Sequence, residues 1–369
     1  MSVITRASRW SPQRARQRGL AIVVAILIVA MATSAVTYLL WYQSLARRHV
    51  ENLVARAQAD SMARAGAAWA GAILRSDDAK VDHLGEIWAQ PLPPFEAEGA
   101  ILAGSLEDEQ GKFNVNNLVP AASGTGTSGT SATGTATSTT TGAATQNGTN
   151  TASGTTNANQ AGTGGATPSY NPAAFAGFQQ LLQALKLPTE LAAALVDWID
   201  NNEEVTQPDG AEDLFYLGRD PPYRAANRPL ADISEIRRVR GFDDKTVATL
   251  APYITALPTE TLINVNTAPA EVLAAFIPGM NAALAAQVVA DRANQKKFDT
   301  IDDFKKILST QAVIPGQPSP PAPPIAVNSN YFGARATVTL GRVTVSYRAI
   351  LYRTQQRWPS IIALYGESL

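Results

Sequence analysis

The run LAIVVAILIVAMATSAVTYLLW, residues 20–41, decides what kind of chain this is. No charged residue occurs from Leu20 until Arg47. At about 1.5 Å rise per residue, such a helix crosses the roughly 30 Å hydrocarbon core of a bilayer. Its apolar residues run around the whole circumference, which suits lipid on every side. Arg6, Arg9, Arg14, Arg16 and Arg18 precede it with no acid among them. Basic residues before a first span hold the N-terminus in the cytoplasm, so the chain after the span is expected outside it. A secretory signal peptide is the competing reading. Against it, the run is too long for an h-region, and no small-residue cleavage pair leads into a polar mature start.

Past the anchor, Gln43 to Leu74 continues as helix, with Leu45, Leu53, Ala57, Ala68 and Ile73 among Arg, Glu and Gln. Gly66 and Gly71 let neighbouring backbones come close. Pro91-Leu-Pro93-Pro94 ends that pattern. Gly99–Leu106 and Lys112–Val115 flank Asp108-Glu-Gln-Gly111, which predicts a hairpin turning at this acidic, Gly-ended stretch. A second hairpin is predicted from Arg335–Leu340 and Val343–Tyr352 across Gly341-Arg342, with β-branched alternation and one buried face. Between the two the sequence is almost wholly helical. The expectation is an α+β fold: one antiparallel sheet leaning on the long N-terminal helix and interrupted by a large all-helical domain.

Residues 121–167 hold Gly, Thr, Ser, Ala, Asn and Gln, with Pro168 following, and no charge or aromatic. Such a tract buries too little apolar area to offset its ordering entropy, so a disordered loop is expected. Helical spacing resumes at Phe175, Phe178, Leu181, Leu182 and Leu185, and Pro188 starts a second helix through Leu191, Leu195 and Trp198. A helix pair follows at Ile233, Ile236 and Val239, closed by Gly241, restarted at Asp243 and stopped at Pro252. A third pair begins at Asn266-Thr-Ala-Pro269, where Thr267 suits a cap and Pro269 the first turn. It turns at Pro278-Gly279 and resumes through Leu284 and Val288, and Phe298–Leu308 adds a short helix. Pro315–Pro324 reads as an extended linker back to the sheet.

The chain has no cysteine, which excludes disulfides, thiol catalysis and cysteine-ligated metal. Without the five leader arginines, 25 basic residues face 31 acidic ones, a net charge near −6 that disfavours nucleic acid as a partner. His49 and His83 are the only histidines, and neither has a nucleophile or metal-ligand spacing around it, so no enzymatic activity is expected. The densest chemistry lies at Asp197-Trp-Ile-Asp200-Asn-Asn202-Glu203-Glu204 and Gly210-Ala-Glu212-Asp213. Carboxylates so crowded repel unless a cation or strong donors sit among them, and hard oxygens suit Ca²⁺. An EF-hand is excluded, because Val205 stands where that loop needs Gly and Ala211 where it needs an acid. From the residues alone, a calcium site and a solvated acidic loop both remain open.

Two sets of motifs carry a family resemblance. Arg18-Gly19-Leu20, a basic leader ending in Gly before an apolar helix, resembles the leader of pilins and pseudopilins. Leu195-Val-Asp-Trp-Ile-Asp200 with Gly210-Ala-Glu-Asp213, Phe113-Asn-Val-Asn116 and Ile263-Asn-Val-Asn-Thr-Ala-Pro269 resemble the K-class minor pseudopilin of bacterial type II secretion. The resemblance implies cleavage by prepilin peptidase between Gly19 and Leu20, with methylation. It implies a bacterial inner-membrane protein with a cytoplasmic N-terminus and a periplasmic head that caps and initiates the pseudopilus. It also implies I-class and J-class minor pseudopilins and the inner-membrane secretion platform as partners, and structural Ca²⁺ on Asp197, Asp200, Asn202, Glu212 and Asp213. The expected order is leader 1–19, membrane helix 20–42, pilin-like core 43–117, disordered loop 118–168, helical domain 169–325, and C-terminal hairpin and tail 326–369. Counting from Leu20, Val24 stands where pilin-like subunits generally carry Glu, as suits a subunit with no predecessor. Ile263–Glu271, Ile277-Pro-Gly-Met-Asn281 and Val239-Arg-Gly-Phe-Asp243 also resemble periplasmic helix-hairpin-helix DNA-binding proteins, the alternative function. There Asp243 and Asn281 replace a glycine that lets backbone amides approach a phosphate, so no nucleic-acid partner is expected.

Overall fold

The structure is a computed structural model, which describes residues 13–119, 169–294, 296–309, 324–354 and 358–367. Most of the leader, the Thr/Gly/Ser tract and nearly all of the Pro-rich linker lie outside the described residues. The helices are α1 (Gln13–Ser76), α2 (Pro172–Ala184), α3 (Leu191–Ile199), α4 (Asp213–Leu217), α5 (Asp244–Leu250), α6 (Ala270–Phe276), α7 (Ala282–Ala293) and α8 (Ile301–Ser309). The strands are β1 (Leu92–Ala97), β2 (Ala100–Asp108), β3 (Phe113–Asn114), β4 (Ile254–Thr255), β5 (Ile263–Asn264), β6 (Ile325–Ala326), β7 (Tyr331–Leu340), β8 (Val343–Tyr352) and β9 (Ser360–Glu367). Two compact units divide the chain. One takes the described residues of Met1–Asp77, Ile87–Glu107 and Gly333–Leu369, the other those of Asp78–Glu86 and Asp108–Phe332.

In the first unit, a five-stranded sheet runs β1-β2-β7-β8-β9. Strands β2 and β7 are neighbours although the larger segment of the second unit separates them in sequence. Helix α1 lies against β8 through small residues: Ala59, Ala63, Ala67 and Ala70 recur on one face and are buried. Ala59 and Ala63 join Ala100 and Val338 in one apolar cluster, and a side chain of alanine's size keeps the helix close to the strands. Among the described residues, α1 is the one helix long and apolar enough to cross a membrane, and its apolar window is not buried in the protein.

The first hairpin differs from its expected place. It joins β1 to β2 through Glu98-Gly99, both at positive φ, with Ala97 facing Ala100. Prolines suggested a break, but β1 is an edge strand, where a missing N–H costs no ladder bond, and its pairing is irregular between Leu92 and Phe95. The acidic stretch Asp108–Gly111 is a 3₁₀ turn instead, capped when Gln110 N–H donates to Asp108 Oδ1 at 2.8 Å. The C-terminal hairpin turns at Gly341-Arg342 as expected, and β9 adds a strand where a tail was expected.

The second unit is helical around Phe178, Leu181, Leu195, Trp198, Leu273 and Phe304, with Phe113 stacked on both Phe178 and Phe276. Asn171 caps α2, Asp243 caps α5 and Asn281 caps α7. Helix α6 starts at Ala270 with Pro269 as its N-cap residue and no side-chain cap, contrary to the expected role of Thr267. The Thr267 hydroxyl instead reaches across to Asp108, donating to its Oδ2 at 2.6 Å. The first half of the second helix pair, Ile233–Arg238, is 3₁₀ rather than α-helical.

Two Asn-Val-Asn motifs hold this unit together. Each begins a short parallel pair, β3 with β4 and β5 with β6. In each, the first asparagine accepts through Oδ1 from the backbone N–H of the second, Asn116 or Asn266. The second asparagine then clips a distant backbone on both sides. Asn116 accepts from Leu230 N–H and donates to Leu230 and Leu257 carbonyls. Asn266 accepts from Phe298 N–H and donates to Phe298 and Val327 carbonyls. A side-chain amide carries two N–H donors and a carbonyl acceptor, enough to accept from one backbone amide and donate to two carbonyls at these buried places. Asn264 further donates to Asp82 O, Asp108 Oδ2 and Ser329 Oγ.

Candidate metal centre

Helix α3 is buried along its whole length, so its polar end carries Asp197 and Asp200 into the interior. Both Asp197 oxygens accept from Thr206 N–H, at 3.0 and 3.2 Å. The loop returns at Gly210, where a Cβ would run into Asp197 Oδ2, so only glycine lets this backbone pass so close. Asp200 ends the helix, and its Oδ2 accepts from the Ser169 hydroxyl at 2.6 Å and Asn202 Nδ2 at 2.7 Å. Asp200 Oδ1 has no partner.

Glu212 is buried and neither of its carboxylate oxygens has a hydrogen-bond partner. Burial, then the charges of Asp197 and Asp200, push its carboxyl up to about 8. Burial likewise raises Asp197 and Asp200. Asn227 Oδ1 is a further buried oxygen without a partner, while Asn227 N–H donates to Trp198 O at 3.0 Å. Four orphaned acceptors therefore accompany one helix end. Leaving a buried acceptor unmade costs about 1–3 kcal/mol, and more for a charged one.

The other two expected ligands are differently engaged. Asn202 Oδ1 accepts from Glu204 N–H at 2.6 Å, and its carbonyl faces Asn227 Nδ2 at 3.5 Å. Asp213 accepts from Ala225 N–H at 2.9 Å and faces Arg224 at 3.3 Å. Among the described residues, no three of the expected ligand carboxylates bring oxygens within 4.8 Å of one another. The donor set is nevertheless all hard oxygen, with no nitrogen or sulfur ligand, which fits Ca²⁺ rather than zinc. Asn227 was missed because nothing in its spacing marks it. Its one signal is its positive φ, visible only in the fold.

The helical hairpins are occupied by the protein itself. Asp243 accepts from Thr246 N–H at 2.7 Å and Asn281 from Leu284 N–H at 2.9 Å, so these amides are already bonded. Arg237 pairs with Asp244, and Arg240 donates to Gly210 O while lying over the Phe215 ring. His83 faces Glu86 at 3.5 Å, and His49 lies exposed on α1.

Among the described residues, one long apolar helix joins an α+β unit whose chain is interrupted by a helical unit with a buried acidic centre. Residues 111–259 and 263–327 match the two family models described as type II secretion system protein K. The chain is 30% identical to the type II secretion system protein K of Pseudomonas aeruginosa, over 93% of this chain and 90% of that protein. It is 28% identical to that of Aeromonas hydrophila, over 93% and 95% respectively. A chain of the GspK-GspI-GspJ complex from the type 2 secretion system of enterotoxigenic Escherichia coli shares the fold. Its TM-score is 0.59 at 23% identity, covering 88% of this chain and 98% of that one. The chain belongs to the type II secretion system protein K family.

Proposed function

We propose that this chain is a minor pseudopilin that caps and initiates the periplasmic pseudopilus of a type II secretion system, a structural rather than an enzymatic role. Family membership over nearly the whole chain carries the reading. The arginine-rich leader favours a cytoplasmic N-terminus in the inner membrane, and Gly19-Leu20 is the bond that prepilin peptidase cuts, with methylation of the new terminus. The inner-membrane platform then receives the mature helix. A glutamate at the fifth mature position would be an expensive charge in lipid unless it met a preceding subunit's N-terminus. Val24 carries no such charge, which supports a place at the tip.

The partners are the I-class and J-class minor pseudopilins, since the E. coli relative was solved in a complex with GspI and GspJ. The head from Arg47 onward is expected to co-purify with both. Failure to bind either one, with the head folded, contradicts the tip reading.

Calcium is the ion proposed for the acidic centre. Asp197, Asp200, Glu212 and Asn227 would hold it, with Asn202 and Asp213 supporting the loop around it. A bound Ca²⁺ supplies the positive charge that these orphaned oxygens lack. The DNA-binding alternative requires free amides at the hairpin turns, and the caps of Asp243 and Asn281 weigh against it.

A further inference from the structure

The first unit contains a groove of about 910 Å³ whose chemistry the secretion role does not use. One wall is the face of α1 that carries Arg48, Asn52, Arg56 and Asp60, and the other is the end of the β7–β8 hairpin with Arg342 and Thr344. Arg48, Arg56 and Arg342 are exposed, and among the described residues none of the three forms an ion pair. Of the two acids that line it, Asp60 accepts from the Tyr347 hydroxyl at 2.7 Å, which leaves Glu51 against three arginines. Three unpaired guanidinium groups in one concavity form a site for an anion, and the guanidinium fork suits phosphate oxygens.

The position of the groove along α1 identifies the anion. The uncharged run from Leu20 to Ala46 is about 40 Å of helix, the thickness of a bilayer with its headgroups (roughly 40–45 Å). Tyr38, Trp41 and Tyr42 close that run as an aromatic belt at the interface. Arg48 therefore leaves the bilayer at headgroup level, and Arg56 stands about 12 Å further along the same helix face. We propose that this groove seats the phosphate of an anionic phospholipid from the leaflet through which α1 emerges. The seat would hold the head against the membrane before the subunit is drawn into the filament. The inference rests on the reading of α1 as a membrane anchor.

The test uses the full chain in nanodiscs made from equal amounts of phosphatidylcholine and phosphatidylglycerol, with the lipids retained on extraction quantified. Phosphatidylglycerol is expected to be enriched several-fold over input. Replacing Arg48→Gln, Arg56→Gln and Arg342→Gln together should return the ratio to input without moving the melting curve. Lysine at the same three positions keeps the charge and should keep the enrichment. Glutamine at Lys296, Lys297 and Lys305, on the helical unit, should change nothing. An input ratio in the parent, or undiminished enrichment in the glutamine variant, overturns the seat. Enrichment abolished by inorganic phosphate also overturns it, assigning the groove to a soluble anion. A chain that fails to enter the nanodisc at all contradicts the anchor reading itself, an outcome distinct from insertion without enrichment.

Discussion

Two regions of the helical unit bury polar side chains, and they do so in opposite ways. Around Asn264 and Asn266 the buried amide, carboxylate and hydroxyl groups bond to one another and to backbone, with Asp82, Asp108, Ser329, Thr267, Phe298 and Val327 taking part. The buried orphan beside them is a donor, Arg292 Nε, whose guanidinium already donates to Val265 O and Ala268 O. Around Glu212, acidic and amide oxygens are buried with nothing to accept from. Desolvated polar groups are tolerated in native proteins when they are bonded. The first region is thus bonded within the protein, whereas the second leaves open the acceptors on which the calcium proposal rests.

The largest loss is expected at Asn264. Replacing it with alanine removes donors from three acceptors and an acceptor from Asn266 N–H, and should cost about 3–5 kcal/mol in denaturant unfolding of the head. Because this region is self-sufficient, the loss should be the same with calcium and with chelator. A loss seen only with chelator would join the two regions into one.

A smaller effect sharpens the contrast through pH. The carboxyl of Glu212 is raised from 4.5 to about 8 by burial and neighbouring charge. In chelator, the unfolded chain ionises this group near 4.5 while the folded head keeps it protonated. Stability is therefore full below pH 4.5, falls as pH rises toward 8, and levels beyond. Asp197 and Asp200 are raised too, so they act with the same sign. Calcium competes with protons for these oxygens, so its stabilisation should grow with pH over that window. A melting temperature in chelator that does not fall between pH 5 and pH 8 contradicts the buried, unpartnered state of Glu212.

The smallest effect is expected at Asp213, whose carboxylate already serves Ala225 and Arg224. Asp213→Asn should cost roughly 1 kcal/mol and leave the calcium response in place. If it removes that response as fully as Glu212→Gln does, Asp213 is a ligand and not a loop support.

Elements governed by local rules were legible in the sequence. The long helix, the helix restart at Asp243 and the Gly341-Arg342 turn follow from periodicity and turn chemistry within a few residues, whereas the cap expected of Thr267 did not form. The first hairpin was misplaced because Pro93 and Pro94 look like a break unless the strand is known to be at an edge. The acidic cluster was legible as a crowd of carboxylates, and family resemblance offered five candidate ligands there, of which Asp197, Asp200 and Glu212 are buried. Asn227 and the orphaning of Glu212 were not, since both depend on how a loop beyond residue 220 returns over the end of α3. Likewise the reach of Asn116 to Leu230 and of Asn266 to Phe298 leaves no trace in spacing.

Thermal melting of the head tests directly whether the orphaned oxygens around Glu212 hold calcium, as proposed. With calcium at about a hundred times its dissociation constant, binding stabilises the native state by roughly 2.7 kcal/mol, a shift of about 5–10 °C for a head of this size. The parent head is expected to lose that shift in chelator, and Glu212→Gln should show none in either condition. Identical melting curves for the parent with calcium and with chelator would contradict the claim and return the cluster to a solvated acidic loop.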